Sequence, residues 1–324
     1  MNDIGFFSEL IWLNEHAFEE NREESVGHFP KERPTKDLLN AGLINLDKPA
    51  GPTSHEVVAT VKRILGISKA GHSGTLDPNV SGILPIGLMK ATKLLHTFHM
   101  IPKVYVCNME VHDRSKEIPW EDYLEEFTGQ IYQFPPLESN VKRRLRKRTI
   151  FKMELLETTA SEVLFTVECE AGTYIRTLCE DLGRAAGVGA HMKELRRIRT
   201  GPFTEETRKT LHNLFDAYMD YKEEGDDHAL RDVILPVEIG TSHLPELIVR
   251  NSAVWNVCHG VKLGATGILG YSAGISKGTL VAAKTAKGEL IGLGTLLVDP
   301  NQMEGNKEVF KIDSVIIDQD LYPK

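Results

Sequence analysis

The sequence predicts an α+β protein with a smaller glycine-rich β unit after the main domain, and three observations carry that reading. Segments with helical spacing of apolar residues, such as Val57, Val58, Val61, Ile64 and Leu65, alternate with segments of two-residue alternation, such as Lys103–Val111 and Val163–Glu168. Nine of the 27 glycines fall in the 35 residues from Gly260 to Gly294, between short alternating runs, which is a small β-barrel signature. The chain has 324 residues at 41% hydrophobic content, enough for about two globular domains at roughly 150 residues each.

Taken in order, residues 1–40 are polar and weakly patterned. Ile4 to Leu13 is read as one short amphipathic element, and the remainder, with Pro30 and Pro34, as an extended arm. Leu43 to Leu46 reads as a strand. Thr53 and Glu56 form a capping box that opens a helix, and Gly66 stops it. The loop Gly71-His72-Ser73-Gly74-Thr75-Leu76-Asp77-Pro78 follows. Its glycines permit close approach to the main chain, and Pro78 pushes Asp77 toward an extended backbone. Apolar segments flank it, Val57 to Leu65 before and Ile83 to Leu88 after, so a stiff polar ledge delivers one carboxylate between core elements. The bland alternative is a surface turn with an Asx hydrogen bond.

Further along, Gln133-Phe134-Pro135-Pro136 is a rigid lead-in to a basic run. Gly172-Thr173-Tyr174-Ile175-Arg176 opens a helix with Leu178, Cys179, Leu182, Ala185 and Ala186 on its apolar side, ended by Gly187. Glu223 to Asp227 is a polar break within a helical stretch, the main domain ends near Gly240, and Pro245 marks a linker. Thr279–Lys284 and Leu290–Gly294 flank the turn Ala286-Lys287-Gly288-Glu289.

The net charge of −8 argues against nucleic acid only if charge is evenly spread. It is not: six of the seven residues from Lys142 to Arg148 are basic, and Arg196, Arg197 and Arg199 form a second cluster. A solvated surface is the ordinary reading of such a run. The local reversal of sign on an acidic chain favours phosphate contact by Lys142, Arg143, Arg144, Arg146, Lys147 and Arg148. The four cysteines, Cys107, Cys169, Cys179 and Cys258, form no Cys-x-x-Cys pair, and His96 and His99 lack a third ligand, so no metal is expected. No apolar run approaches the ~20 residues of a membrane span, and the N-terminus lacks a signal peptide's pattern. The expectation is a cytoplasmic protein.

The Gly71–Pro78 loop resembles the catalytic motif of the TruB-type pseudouridine synthases. Asp47-Lys48-Pro49-Ala50-Gly51-Pro52-Thr53-Ser54 resembles the same family's first motif, with Lys48 and Pro49 read as structural. Lys103-x-Tyr105 and Gly172-Thr173-Tyr174-Ile175-Arg176 match its second and third, and His191-Met192-Lys193-Glu194-Leu195-Arg196-Arg197 a further segment. The resemblance runs from about residue 30 to the C-terminus and is closest to the archaeal, dyskerin-like branch. It implies a catalytic domain on a mixed, mainly antiparallel sheet over 41–243, a PUA RNA-binding domain over 244–324, and an N-terminal extension, 1–40, packing on the PUA domain.

The resemblance also implies roles and partners. Asp77 is the essential carboxylate, Tyr105 stacks on the extruded uracil, and Arg176 pairs with Asp77. Tyr174, Leu195 and His72 line the pocket. The basic run, Arg196, Arg197 and the PUA residues His259 and Gly260 face RNA. No cofactor is needed, because isomerisation involves no redox change. The implied partners are tRNA, rRNA, an H/ACA guide RNA and accessory H/ACA core proteins. Guide-free modification of the T-loop uridine of tRNA is the alternative within enzymes, and a non-catalytic RNA-binding scaffold the alternative outside them.

Overall fold

The computed structural model describes residues 9–135, 142, 144–305 and 307–324. The chain enters it with a strand, β1 (Leu10–Trp12), and two helices, α1 (Glu15–Glu23) and α2 (Thr35–Ala41). Of the amphipathic element expected over Ile4–Leu13, residues 4–8 lie outside the described residues and 10–12 are β1. Much of the expected extended arm is helical. Helix α1 is weakly patterned but is capped by Asn14, whose side chain accepts from Ala17 N at 2.9 Å. It is also held from outside: the buried Asn21 accepts two hydrogen bonds from Asn251, at 2.8 and 2.7 Å. Tertiary contact supplies what local pattern lacks.

The main sheet is built from β2 (Gly42–Lys48), β3 (Ala70–His72), β4 (Ser81–Leu88), β5 (Lys103–Val111), β6 (Gly129–Gln133), β7 (Arg146–Thr158), β8 (Glu162–Cys169), β9 (Ala190–Thr200), β10 (Phe203–Thr204) and β11 (Leu235–Pro236). Its helices are α3 (Ser54–Leu65), α4 (Trp120–Glu126), α5 (Ile175–Ala185), α6 (Leu211–Glu224) and α7 (His228–Val233). The strand order is β11-β2-β4-β9-β5-β8-β7-β6, with β3 beside β4 and β10 beside β9. Every strand pairing in it is antiparallel except β4 with β9, which meet through Ser81–Arg196 and Gly82–Arg197. Gly82 makes that joint possible: its φ is +103°, and a Cβ there would lie 2.1 Å from the Arg197 carbonyl oxygen. The predicted capping box is present at α3, and Gly66 closes the helix in the left-handed conformation.

The second sheet comprises β12 (Glu246–Val249), β13 (Leu263–Gly264), β14 (Ile268–Ser272), β15 (Leu280–Thr285), β16 (Leu290–Leu296) and β17 (Glu308–Val315), with α8 (Asn251–Cys258) beside it. The order is β1-β14-β12-β15-β16-β17-β13, so the N-terminal strand forms one edge of the C-terminal sheet. The barrel signature resolves into an open path, since among the described residues no ladder joins β1 to β13.

The two sheets share core. Leu43 of the first, with Leu94 and Phe98 of the helical turns that follow β4, packs in one buried cluster with Ala282, Leu290 and Leu293 of the second. A buried Arg33 joins the same seam, donating to Glu238 at 2.7 Å and lying 3.5 Å from Glu289. A separate core lies between α5 and the β5–β8 strands, from Cys107, Met109, Phe165 and Val167 to Ile175, Leu178 and Leu182. That core fixes the helix that carries Arg176. No helix among the described residues is long and apolar enough to cross a membrane.

Candidate active site

Asp77 lies on the loop between β3 and β4, and two buried side chains fasten that loop on either side of it. Upstream, the Ser54 hydroxyl, at the first turn of α3, accepts from Leu76 N and donates to Leu76 O, both at 3.0 Å. Downstream, the fully buried Lys48 ammonium donates to the carbonyls of Pro49, Pro78 and Val80 at 2.9, 3.0 and 2.8 Å. Gly51 N adds a second bond to the Pro78 carbonyl at 2.9 Å. Burial lowers the Lys48 pKa, and the charge of Asp77 opposes that shift. The motif around Lys48 is thus a backbone clamp, and Asp77 has little freedom to move.

Arg176 reaches Asp77 from the first turn of α5, its Nη2 donating to Oδ2 at 2.7 Å. The side chains are 36% and 59% exposed, so the pair contributes at most about 1 kcal/mol to stability. Its consequence is geometric: it aims a carboxylate oxygen on an open surface. The turn before α5 is itself anchored. The buried Gln133 side chain, at the end of β6, donates to Tyr174 O at 3.1 Å and accepts from Tyr174 N at 3.0 Å. Arg148 Nε donates to Gly172 O at 3.0 Å. Tyr174 therefore stands at the start of α5 with its backbone pinned and its side chain half-buried.

Tyr105 projects from β5 beside the same floor. The residue is half-buried. Burial raises its pKa, and the Arg197 guanidinium opposes the rise by its charge and by a hydrogen bond. Leu195 pairs with Cys107 and Arg197 with Tyr105 across the β5–β9 ladder, so Leu195, Arg197 and Tyr105 share one face. His72 lies in the wall of the loop, edge-on to His55 at 5.1 Å between ring centres. Burial pushes its pKa down to about 4, helped by His55 and Arg197, so it is neutral at pH 7. The structure thus gathers Asp77, Arg176, Tyr105, Tyr174, Leu195 and His72 around one stretch of the sheet.

Of the arginines expected at an RNA surface, Arg197 is buried and Arg196 is partly exposed but paired with carboxylates, as is its neighbour Arg199. Arg197 is 1% exposed and donates to Ile83 O at 2.7 Å. Arg196, on the opposite face of β9, makes two bonds of 2.9 Å to Asp47 and a third of 3.0 Å to Glu205. Arg199 donates to Glu168 at 2.6 Å. Strand alternation turns Arg197 inward and Arg196 outward, and a bulge after Arg197, where Tyr105 pairs with Arg197 but Val104 with Arg199, turns Arg199 outward as well. In the basic run, Arg148 is turned onto the α5 entry, Arg146 is half-buried, and Lys142, Arg144 and Lys147 are exposed. Arg143, like Pro136 of the lead-in, lies outside the described residues. At the end of α8, His259 stacks on Trp255 with ring centres 3.8 Å apart, and Gly260, with φ +85°, is exposed beside it.

Sequence reasoning misses Gln133 and Ser54 as anchors. Gln133 acts 41 positions away and leaves no local signal. The inward Arg197 is detectable from strand alternation through Leu195-Arg196-Arg197.

A carboxylate with an arginine partner, beside a half-buried tyrosine, is an arrangement that suits a base-modifying site of the extruded-nucleotide type. Comparison with known proteins gives the family. Residues 62–175 match the TruB family pseudouridylate synthase (N terminal domain), and 176–241 the tRNA pseudouridylate synthase B C-terminal domain. Residues 14–58 match the DKCLD (NUC011) domain and 245–312 the PUA domain. The chain is 50% identical to a probable tRNA pseudouridine synthase B of Methanopyrus kandleri, over 91% of this chain and 88% of that one. It is similar to a protein in a solved Cbf5-Nop10-Gar1 complex, with TM-score 0.89, 45% identity and coverage of 98% and 96%. It is also similar to a chain of an H/ACA RNP bound to a substrate RNA containing 2′-deoxyuridine, with TM-score 0.87, 42% identity and coverage of 97% and 96%. The chain belongs to the TruB family of pseudouridine synthases.

Proposed function

We propose that this chain isomerises uridine to pseudouridine in rRNA, and in the T-loop of tRNA, as the catalytic subunit of a cytoplasmic H/ACA guide-RNA particle, with Asp77 as its essential carboxylate. The observation that carries the reading is the 2.7 Å Arg176–Asp77 pair on a loop clamped by Lys48 and Ser54. One similar chain was solved with Nop10 and Gar1 and another in an H/ACA RNP bound to substrate RNA, which supports an RNA and accessory-protein setting for this one.

The reaction breaks the ribose C1′–N1 bond and forms a C1′–C5 bond. The proton leaves C5 and N1 regains one, so atoms balance without oxidant or cofactor. The target base must first leave its stack, at a cost of a few kcal/mol. The clamped Asp77 then acts at the sugar or base. Tyr105 holds the detached uracil by stacking and assists loss of the C5 proton, and Tyr174, Leu195 and His72 close the pocket so that the base turns and is retained. A guide RNA pairs with the target and supplies sequence specificity, while the PUA region, with His259 and Gly260 on its surface, holds RNA distant from the site.

Incubation with an unmodified tRNA transcript, and separately with guide, target and accessory proteins, tests this reading. Activity confined to the second mixture supports a guided catalytic subunit. Equal activity on tRNA alone favours the guide-free reading, which the name of the Methanopyrus relative supports. Tight RNA binding without turnover in either mixture returns the scaffold.

The exposed part of the basic run predicts its own result. Replacing Lys142, Arg144 and Lys147 with alanine lowers the slope of log affinity against log salt by about one per lost phosphate contact. Titrating binding at several salt concentrations checks it, and an unchanged slope removes these residues from the RNA interface.

A further inference from the structure

We propose that Arg197 is a positioning residue for the isomerisation: its buried guanidinium holds the Tyr105 hydroxyl, and with it the ring that meets the base, in register with the aspartate loop. The inference rests on the reading of Tyr105 as the ring that stacks on the uracil.

The geometry ties three parts of the site to one side chain. Arg197 stands directly opposite Tyr105 across the β5–β9 ladder, with its guanidinium placed to favour the ionised form of the Tyr105 hydroxyl. Its Nε donates to the Ile83 carbonyl of β4 at 2.7 Å. Its Nη1 lies beneath Gly74, where a Cβ would come within 3.0 Å; Gly74 has φ +72°, and only glycine lets the loop rest there without strain. One planar group thus joins the strand after Asp77 to the loop before it, from the position across the ladder from the stacking ring.

The placement is unfavourable in itself, and packing does not require it. Arg197 is 1% exposed, its Nη2 is buried without a hydrogen-bond partner, and among the described residues no carboxylate lies within ion-pair distance. A buried cation without a counter-ion is strongly destabilising, whereas an apolar side chain of similar volume would fill the space. The neighbours are no compensation: Lys103 is a second buried ammonium, and its pKa is pushed down to about 8 by burial and then by Arg197. A rigid fork of donors has a use here that an apolar chain lacks. It fixes the phenol oxygen as an acceptor and so fixes the rotation of the ring.

The test is a double-mutant cycle on the complete enzyme with its RNA. Arg197→Met is expected to lower the single-turnover rate by about 100-fold, the scale set by a displacement of an ångström in a site, with RNA affinity within about twofold of wild type. In a Tyr105→Phe background the same change is expected to cost less than about threefold, since the hydroxyl it acts through is already gone. Arg197→Lys, which keeps the charge, is expected to retain more activity than Arg197→Met and carries the comparison if the methionine variant does not fold. Full activity in Arg197→Met, or an equal loss in both backgrounds, overturns the proposal. So does an unimpaired Tyr105→Phe enzyme. A Tyr105→Leu enzyme at wild-type rate would instead refute the stacking reading, so the two failures are distinguishable.

Discussion

Asp77→Asn is expected to lower pseudouridine formation by more than about 10³-fold while RNA affinity stays within about threefold. The asymmetry follows from the chemistry. An asparagine keeps the size of the side chain and can still meet Arg176, but it supplies neither a nucleophile nor a base. Binding is barely touched, because the change removes a negative charge from a surface that approaches phosphates. The ion pair is partly exposed and contributes little stability, so the variant is expected to fold normally. Single-turnover kinetics beside a filter-binding titration separate the two effects. Comparable losses in both would mean that Asp77 organises the loop and does not react.

Lys48→Met is expected to lower both stability and rate. The methionine fills the space but leaves the buried carbonyl of Val80 without a donor, while the exposed Pro49 can turn to water and Pro78 keeps its bond from Gly51. At about 1–3 kcal/mol for an orphaned buried acceptor, the loss is about 1–3 kcal/mol. For a chain of this length each kcal/mol shifts the midpoint by about 2–4 °C, so a drop on the order of 5 °C is expected. The loop that loosens is the one that aims Asp77, and the rate is expected to fall about 10- to 100-fold at temperatures where the variant is still folded. Thermal unfolding and kinetics on one preparation check the pair of effects. An unchanged midpoint would show that the three carbonyls find other partners.

The site is legible in the sequence where local chemistry singles out a residue. Asp77 stands between glycines and a proline, Arg176 at a helix entry, and Thr53 with Glu56 announces α3 without any tertiary contact. What local pattern does not carry is the direction of charge. Arg196, Arg197 and Arg199 read as a basic cluster when charge is counted without the strand's alternation. Folded, they serve an Asp47–Glu205 network, the floor of the site and Glu168 in turn. Helix α1 is equally hidden, because its stabilising partner, Asn251, lies 230 residues away. The place of β1 is hidden for the same reason: its partner strand, β14, lies at the other end of the chain.

The most direct measurement is release of tritium from C5 of uridine-labelled target RNA by the wild-type chain assembled with guide and accessory proteins, against Asp77→Asn in the same assembly. One tritium released for each pseudouridine formed by the wild type, and none by the variant, is the expected result. Release at the wild-type rate from Asp77→Asn would contradict it.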